Sequence, residues 1–213
     1  MTSLLIYGGS FDPPHLGHLN TARNVQHYFH FDQFVFLPCR EPVLKKPTSV
    51  EASGRFDMLK LMLKDYPEFS INTLEIDRKT KSYMTDTLKM LRDKVGSSTS
   101  ITLLLGMDAF LTLPHWHQVQ DIPTLCNVLV IQRKGTSEER GAKSLEALFK
   151  KCTHPLDILN KPHGQLLYFD AGQYPMSSTN IRQKIQSHQK VDDSLSQDVE
   201  DYIKTHGLYT RES

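Results

Sequence analysis

The chain has 213 residues, of which 38% are hydrophobic and 23% charged, and its formal net charge is +1. A balance this close to neutral provides no basic field for a broad grip on nucleic acid, so no nucleic-acid partner is expected and any anion must be held locally. Cys39, Cys126 and Cys152 lie too far apart to form a C-x-x-C pair, which argues against a disulfide framework and a structural zinc site.

The chain runs at once into a strand-like stretch, without a secretory pattern. No apolar run approaches the roughly 20 residues of a membrane span. No membrane partner is expected, and the cytoplasm is the expected location.

Leu4 to Tyr7 is a short apolar run stopped by Gly8-Gly9, the pattern of a buried strand ending in a tight turn. Pro13 and Pro14 hold the next residues extended. From Leu16 the spacing turns helical, with Leu19, Ala22, Val25 and Phe29 on one face. Phe34 to Leu37 is a second strand, followed by a Pro- and Lys-rich connection over Pro38 to Thr48 and a helix over Ala52 to Lys64. Phe69 to Ile76 is expected to form one or two short strands, with a polar turn over Asp77 to Lys81. Met84, Leu88 and Leu91 mark a helix ending near Gly96.

Ile101 to Leu105, stopped by Gly106, repeats the strand-then-glycine pattern. Further strands are expected over Asn127 to Ile131 and Leu166 to Phe169, with a charged loop over Gly135 to Gly141 and a short helix over Leu145 to Phe149 between them. Helices starting near Ser177 and Leu195 close the chain. Strands alternating with helices predict an α/β fold: a doubly wound, mainly parallel sheet in a three-layer α/β/α arrangement. One domain over 1–213 is the simplest organisation, with a helical C-terminal part from about 177.

A strand, a Gly-Gly turn and a helix start in succession place a helix N-terminus at the C-terminal edge of a sheet, where anions are attracted. His15 and His18 are inserted there three residues apart, a spacing that puts both imidazoles on one face. Gly17 between them admits a close approach. Two histidines alone could equally be surface residues or half of a metal site; the strand and glycines around them favour a phosphate site. Ser177, Ser178 and Thr179 can cap a helix while Arg182 offers a charge-assisted fork, although a plain cap with a surface arginine is a common alternative.

The run Gly8-Gly9-Ser10-Phe11-Asp12-Pro13-Pro14-His15-Leu16-Gly17-His18 resembles the G-G-x-F-D-P-x-H-x-G-H signature of bacterial nicotinate-nucleotide adenylyltransferases, in the H-x-G-H nucleotidyltransferase superfamily. Met176 to Arg182 is similar to the family's I-S-S-T-x-I-R. Gly106-Met107-Asp108 is similar to its G-x-D, and Val199 to Tyr209 to its closing V-x-x-Y-I-x-x-x-G-L-Y. The likeness runs from Leu4 to Tyr209.

The resemblance implies a Rossmann-like nucleotidyltransferase that transfers AMP from ATP to nicotinate mononucleotide in NAD biosynthesis. His15, His18, Lys45 and Arg182 would be catalytic. Gly8, Gly9, Ser10, Phe11, His15, Gly17, His18, Gly106, Asp108, Ser177, Ser178, Thr179, Ile181 and Arg182 would hold ATP. Lys45, Tyr83, Met84, Thr85, Trp116, His117 and Arg133 would face the mononucleotide. Mg2+ would be carried mainly by the ATP phosphates, with no dedicated protein metal site, and the protein would be a monomer or homodimer.

Two departures stand out. Leu44 occupies the place of a family histidine ahead of Lys45. Met84 stands where a hydroxyl would bind the nicotinate carboxylate, leaving that contact to Thr85 or to backbone N–H groups. Nicotinamide mononucleotide is therefore the nearest rival acceptor. A non-enzymatic nucleotide sensor is the rival of another class, opposed by intact His15, His18 and Arg182. Cytidylyltransferases, phosphopantetheine adenylyltransferases and a class I aminoacyl-tRNA synthetase fragment fit the glycine pair, the ending or the length less well. A zinc site from His15, His18, His115 and His117 lacks acidic or cysteine ligands at typical spacing.

Overall fold

The computed structural model describes residues 1–44, 46–78, 82–132, 145–191 and 193–210. Among the described residues seven strands form one sheet: β1 (Ser3–Gly9), β2 (Gln33–Pro38), β3 (Phe69–Ile71), β4 (Ser100–Gly106), β5 (Asn127–Ile131), β6 (Lys150–Lys151) and β7 (Gln165–Phe169). Their order is β3-β2-β1-β4-β5-β7-β6, and every pairing is parallel. The expected doubly wound sheet is therefore present.

Alternation along the central strands supplies two cores, one on each face. Leu5, Phe34, Phe36, Leu104 and Leu129 enter one cluster. Leu4, Ile6, Val35, Leu37, Leu103, Leu105, Val128 and Val130 enter the other. Strands buried on both faces are continuous apolar runs, which is why they stand out in the sequence.

Helices α1 (Leu16–Phe29), α2 (Ala52–Leu63) and α3 (Met84–Val95) follow the first three strands, and α4 (Met107–Leu111) leaves β4 directly. α5 (Ile122–Leu125) and α6 (Asp157–Asn160) are single turns. α7 (Ser178–Gln186) and α8 (Gln197–Thr205) end the chain, with α8 packed against α2. The chain reverses its winding between β1 and β4, so the crevice outside their C-terminal ends is the place where such sheets bind ligands. Gly8-Gly9 and Gly106 end those two strands.

The structure refines the expected elements at several points. The strand expected over Phe69 to Ile76 stops at Ile71, because Asn72 Oδ1 accepts the Leu74 N–H at 2.9 Å and turns the backbone away from the sheet. Of the short helix expected over Leu145 to Phe149, Leu145 and Glu146 are helical; turns closed by Leu148 N–H to Leu145 O and Phe149 N–H to Glu146 O then lead into β6. That edge strand is a pair of exposed lysines, which carry no apolar periodicity but suit a sheet edge. The short helices α4, α5 and α6 were not anticipated, since four or five residues are too few to show a period. The charged loop over Gly135 to Gly141 lies outside the described residues.

Candidate active site

His15 sits in extended conformation immediately before α1, and His18 lies in its first turn. Their rings stack, with centroids 3.7 Å apart and planes inclined by 25°. The His15 backbone N–H donates to His18 Nδ1 at 3.2 Å. That bond reserves Nδ1 as an acceptor, so a neutral His18 carries its proton on Nε2 and presents a donor there. Phe11 packs edge-on to His18 at 5.0 Å. Phe11 is itself held at φ 49°, an uncommon left-handed conformation for a bulky residue. His15 is buried, and loss of solvation pushes its pKa down to about 4, so it is a neutral imidazole at physiological pH.

The helix start contributes less backbone than its position suggests. The Leu16 N–H donates to Ser194 O, and the His18 and Leu19 N–H groups both reach His15 O. This helix end therefore offers an anion its imidazoles more than free amides. Gly17 stands at a close approach within the protein. A Cβ there would meet Met176 Cγ at 2.9 Å and His15 Nδ1 at 3.0 Å, so the gap is filled by the protein's own side chains.

The first turn of α7 closes on the same loop. Ser177 caps the helix by accepting the Asn180 N–H, and Ser178 Oγ donates to Pro13 O at 2.9 Å. Arg182 donates through Nη1 to Asp12 O at 2.6 Å and through Nη2 to Thr179 Oγ1 at 3.4 Å. Ile181 is buried beneath this turn. Thus Gly8 to His18 and Ser177 to Arg182, which are far apart in the chain, form one surface. Across the crevice, Gly106 has open space where a Cβ would project, and Asp108 is exposed in α4.

A cavity of about 200 Å³ adjoins this surface, walled by Gly8 and Gly9 on one side and by Tyr83, Met84, Thr85, Trp116 and His117 on the other. Trp116 Nε1 donates to Thr112 Oγ1, and the Tyr83 and His117 rings lie 4.5 Å apart. The Thr85 hydroxyl donates to His117 O at 2.6 Å, so its proton is already engaged. Leu44 is 51% exposed at the mouth. Lys45 and Arg133 lie outside the described residues. Among the described residues no group of three His, Cys, Asp or Glu could hold a metal, so His15, His18, His115 and His117 are not gathered into a zinc site.

Two residues with large structural roles escaped the sequence reading. Arg55 in α2 is fully buried yet donates to four carbonyls: Val50, Ser10, Cys39 and Arg40. It ties the loop between β1 and α1 to the segment after β2. Glu75, 2% exposed, accepts from Thr87 Oγ1 at 2.8 Å and lines the cavity. Burial pushes its carboxyl up to about 7, against smaller opposing effects of the Thr87 bond and Arg78. A charged residue at an apolar helical position was the only available sign of Arg55, and nothing in the sequence marked Glu75.

Residues 6–184 match the model of the cytidylyltransferase-like family. A probable nicotinate-nucleotide adenylyltransferase of Legionella pneumophila is 42% identical over 98% of this chain and all of its own length. One from Shewanella frigidimarina is 35% identical over 96% of this chain and 98% of its own. A solved Plasmodium falciparum nicotinic acid mononucleotide adenylyltransferase, complexed with NaAD, superposes with a TM-score of 0.74 over 98% of each chain. At 16% identity it speaks to the fold alone. The chain belongs to the cytidylyltransferase-like family of nucleotidyltransferases, within its nicotinate-nucleotide adenylyltransferase branch.

Proposed function

We propose that the protein joins the AMP part of ATP to the phosphate of nicotinate mononucleotide, giving nicotinate adenine dinucleotide and pyrophosphate, a step of NAD biosynthesis. The stacked His15–His18 pair, with His18 Nδ1 reserved by a backbone N–H, is the observation that carries this reading. Relatives of nearly equal length bear the name of this activity.

An oxygen of the mononucleotide phosphate attacks the α-phosphorus of ATP in line. The bond to the bridging oxygen of the β-phosphate breaks, and its electron pair leaves with pyrophosphate. The attacking group has a second pKa near about 6 and is largely ionised at neutral pH, so no carboxylate base is required. Catalysis then consists of positioning and charge stabilisation. His18 Nε2 and the neutral His15 ring donate to the α-phosphate and the departing pyrophosphate. Arg182 is released from Asp12 O to neutralise phosphate charge, and Lys45 adds to it.

Gly8, Gly9, Ser10, Phe11 and Gly17 shape the triphosphate side. Ser177, Ser178, Thr179 and Ile181 form its far wall, and Gly106 and Asp108 meet the nucleoside. Tyr83, Met84, Thr85, Trp116, His117 and Arg133 receive the pyridine nucleotide.

Magnesium would travel on the triphosphate, supplying charge neutralisation there, since that ion is commonly held by substrate phosphates and few protein ligands. The donor set fits such an ion: the phosphate surface is built of imidazole, hydroxyl and guanidinium rather than a carboxylate cage. We take 1–213 as a single nucleotidyltransferase unit working in the cytoplasm. No helix among the described residues is long and apolar enough to cross a membrane.

Nicotinamide mononucleotide is kept as a second acceptor, because Met84 offers no useful hydrogen bond and the Thr85 proton is engaged on His117 O. The test is turnover of ATP with each mononucleotide, following pyrophosphate and dinucleotide, in the wild type and in His18→Ala. Nicotinate is expected to be preferred, and His18→Ala to lose at least about a hundredfold in turnover, the scale of one preorganised donor. Near-normal turnover by the variant would remove His18 from the mechanism, and no turnover of either mononucleotide would refute the function.

A further inference from the structure

Two carboxyl groups, Glu41 and Glu75, line the cavity assigned to the acceptor ring, and no lysine or arginine does so among the described residues. Glu75 is the deeper of the two. Its carboxyl is packed between the turn after β3 and helix α3, with Thr87 Oγ1 donating to Oε1, and the Ser82 hydroxyl bonding the Glu75 backbone carbonyl. It forms no ion pair among the described residues. Nothing in the transfer chemistry uses it. A fixed negative charge in such a place opposes the carboxylate of a nicotinate ring; its attraction to the pyridinium charge is common to both rings, so the ring with a neutral carboxamide is favoured by comparison.

We propose that Glu75 is a specificity-determining residue whose uncharged form admits the carboxylate-bearing mononucleotide and whose charged form selects against it. The inference rests on the acceptor reading of this cavity. Its location supports it first: the group is buried, borders the cavity and is held by a hydroxyl that can serve either protonation state. Burial also pushes its ionisation up to about 7, into the range where cells and assays operate.

Its surroundings act as follows. Arg78 lies near enough to favour the charged form, while its guanidinium contacts Met90 Sδ. The Cys39 thiol on the neighbouring segment is pushed up to about 11 by burial and stays neutral. Arg55 lies behind it, engaged on backbone carbonyls. Tyr83, His115 and His117 line the cavity from the α3 and α4 side. Any charge that the two imidazoles gain on acidification would favour the carboxylate ring in the same sense as Glu75, so a variant must separate them.

The experiment measures kcat/KM for nicotinate and nicotinamide mononucleotides from pH 5.5 to 8.5 in the wild type, Glu75→Gln and Thr87→Val. Groups acting on both substrates alike, including the reacting phosphate and His15, cancel in the ratio. In the wild type the nicotinate-to-nicotinamide ratio should fall about tenfold as pH rises through 7, the scale of two like charges sharing a partly buried cleft.

Glu75→Gln should hold the ratio near its acid value throughout. Thr87→Val, which removes a bond favouring the charged form, should move the fall to higher pH. A ratio independent of pH in the wild type would overturn the proposal. So would a fall that persists in Glu75→Gln, or one that Thr87→Val leaves in place. Absence of turnover with both mononucleotides would instead refute the acceptor reading beneath it.

Discussion

The hydroxyl of Tyr209 donates to Asp12 Oδ1 at 2.8 Å across 197 residues of chain. Asp12 is a joint within the loop between β1 and α1. Its other oxygen accepts the Ser49 N–H at 2.7 Å, and its backbone carbonyl accepts from Arg182. The closing Gly-Leu-Tyr thus locks the loop that carries the histidines. Burial and the Asp12 carboxylate both raise the Tyr209 pKa, so the phenol stays a donor. Tyr209→Phe keeps the ring and removes the donor, leaving a buried carboxylate oxygen short of a partner. Chemical denaturation should register a loss of about 1–3 kcal/mol, with turnover falling several-fold through the displaced loop. An unchanged midpoint would show that the bond is idle.

Arg55 is a second joint, and its chemistry makes a sharper demand. A guanidinium reaches Val50, Ser10, Cys39 and Arg40 together because its donors are spread in a rigid fork. An ammonium is a point charge with three donors and cannot span that set. Arg55→Lys should therefore destabilise the protein by about 3 kcal/mol or more, as expected when a buried charge loses its partners. Thermal unfolding of the variant measures this directly, and a shift of only a degree or two would count against the role.

The same two joints show how much was legible in the sequence. Strands such as β1, β4 and β5 were legible because both faces are buried, and a run such as Ile101 to Leu105 has few other uses. The surface proposed to hold phosphate was legible as two blocks, Gly8 to His18 and Ser177 to Arg182, because glycines, imidazoles and caps have local meaning. What joins the blocks was not legible. The Arg182–Asp12 bond, the Ser178–Pro13 bond and the Arg55 fork are made between residues far apart in the chain, and no local spacing records such a contact. The packing of Met176 against Gly17 was not legible for the same reason, since Met176 comes from the other block. The β6 strand was missed because two exposed lysines have no pattern to show.

Gly17 and Gly106 separate internal crowding from ligand access. In Gly17→Ala the new Cβ meets Met176, which can bend, and the buried His15 ring, which has little room. Alanine also favours the helix over glycine by about 1 kcal/mol. Stability should therefore stay close to the wild type while turnover drops about tenfold to a hundredfold, the scale of a misplaced catalytic group. Gly106 has φ −72° and no neighbour within 4 Å of a built Cβ. Gly106→Ala should fold normally, and KM for ATP should rise, since the proposed site places the nucleoside in that space. Equal kinetics for the wild type and both variants would refute both assignments.

Two buried titrating groups set opposing slopes of stability against pH. His15 is depressed to about 4 from 6.5, so between those values the unfolded chain binds the extra proton and stability rises with pH. Glu75 is raised from 4.5 to about 7, so across that window the folded chain holds the extra proton and stability falls as pH rises. The two windows overlap from 4.5 to 6.5 and there largely cancel, which flattens the wild-type profile. Glu75→Gln removes one slope. Its stability relative to the wild type should grow from pH 4.5 to 7.5 by at most about 3 kcal/mol, at 1.36 kcal/mol per pKa unit. Urea midpoints across that range test the sign as well as the size: a difference that is constant with pH would mean that Glu75 ionises alike in the folded and unfolded chain.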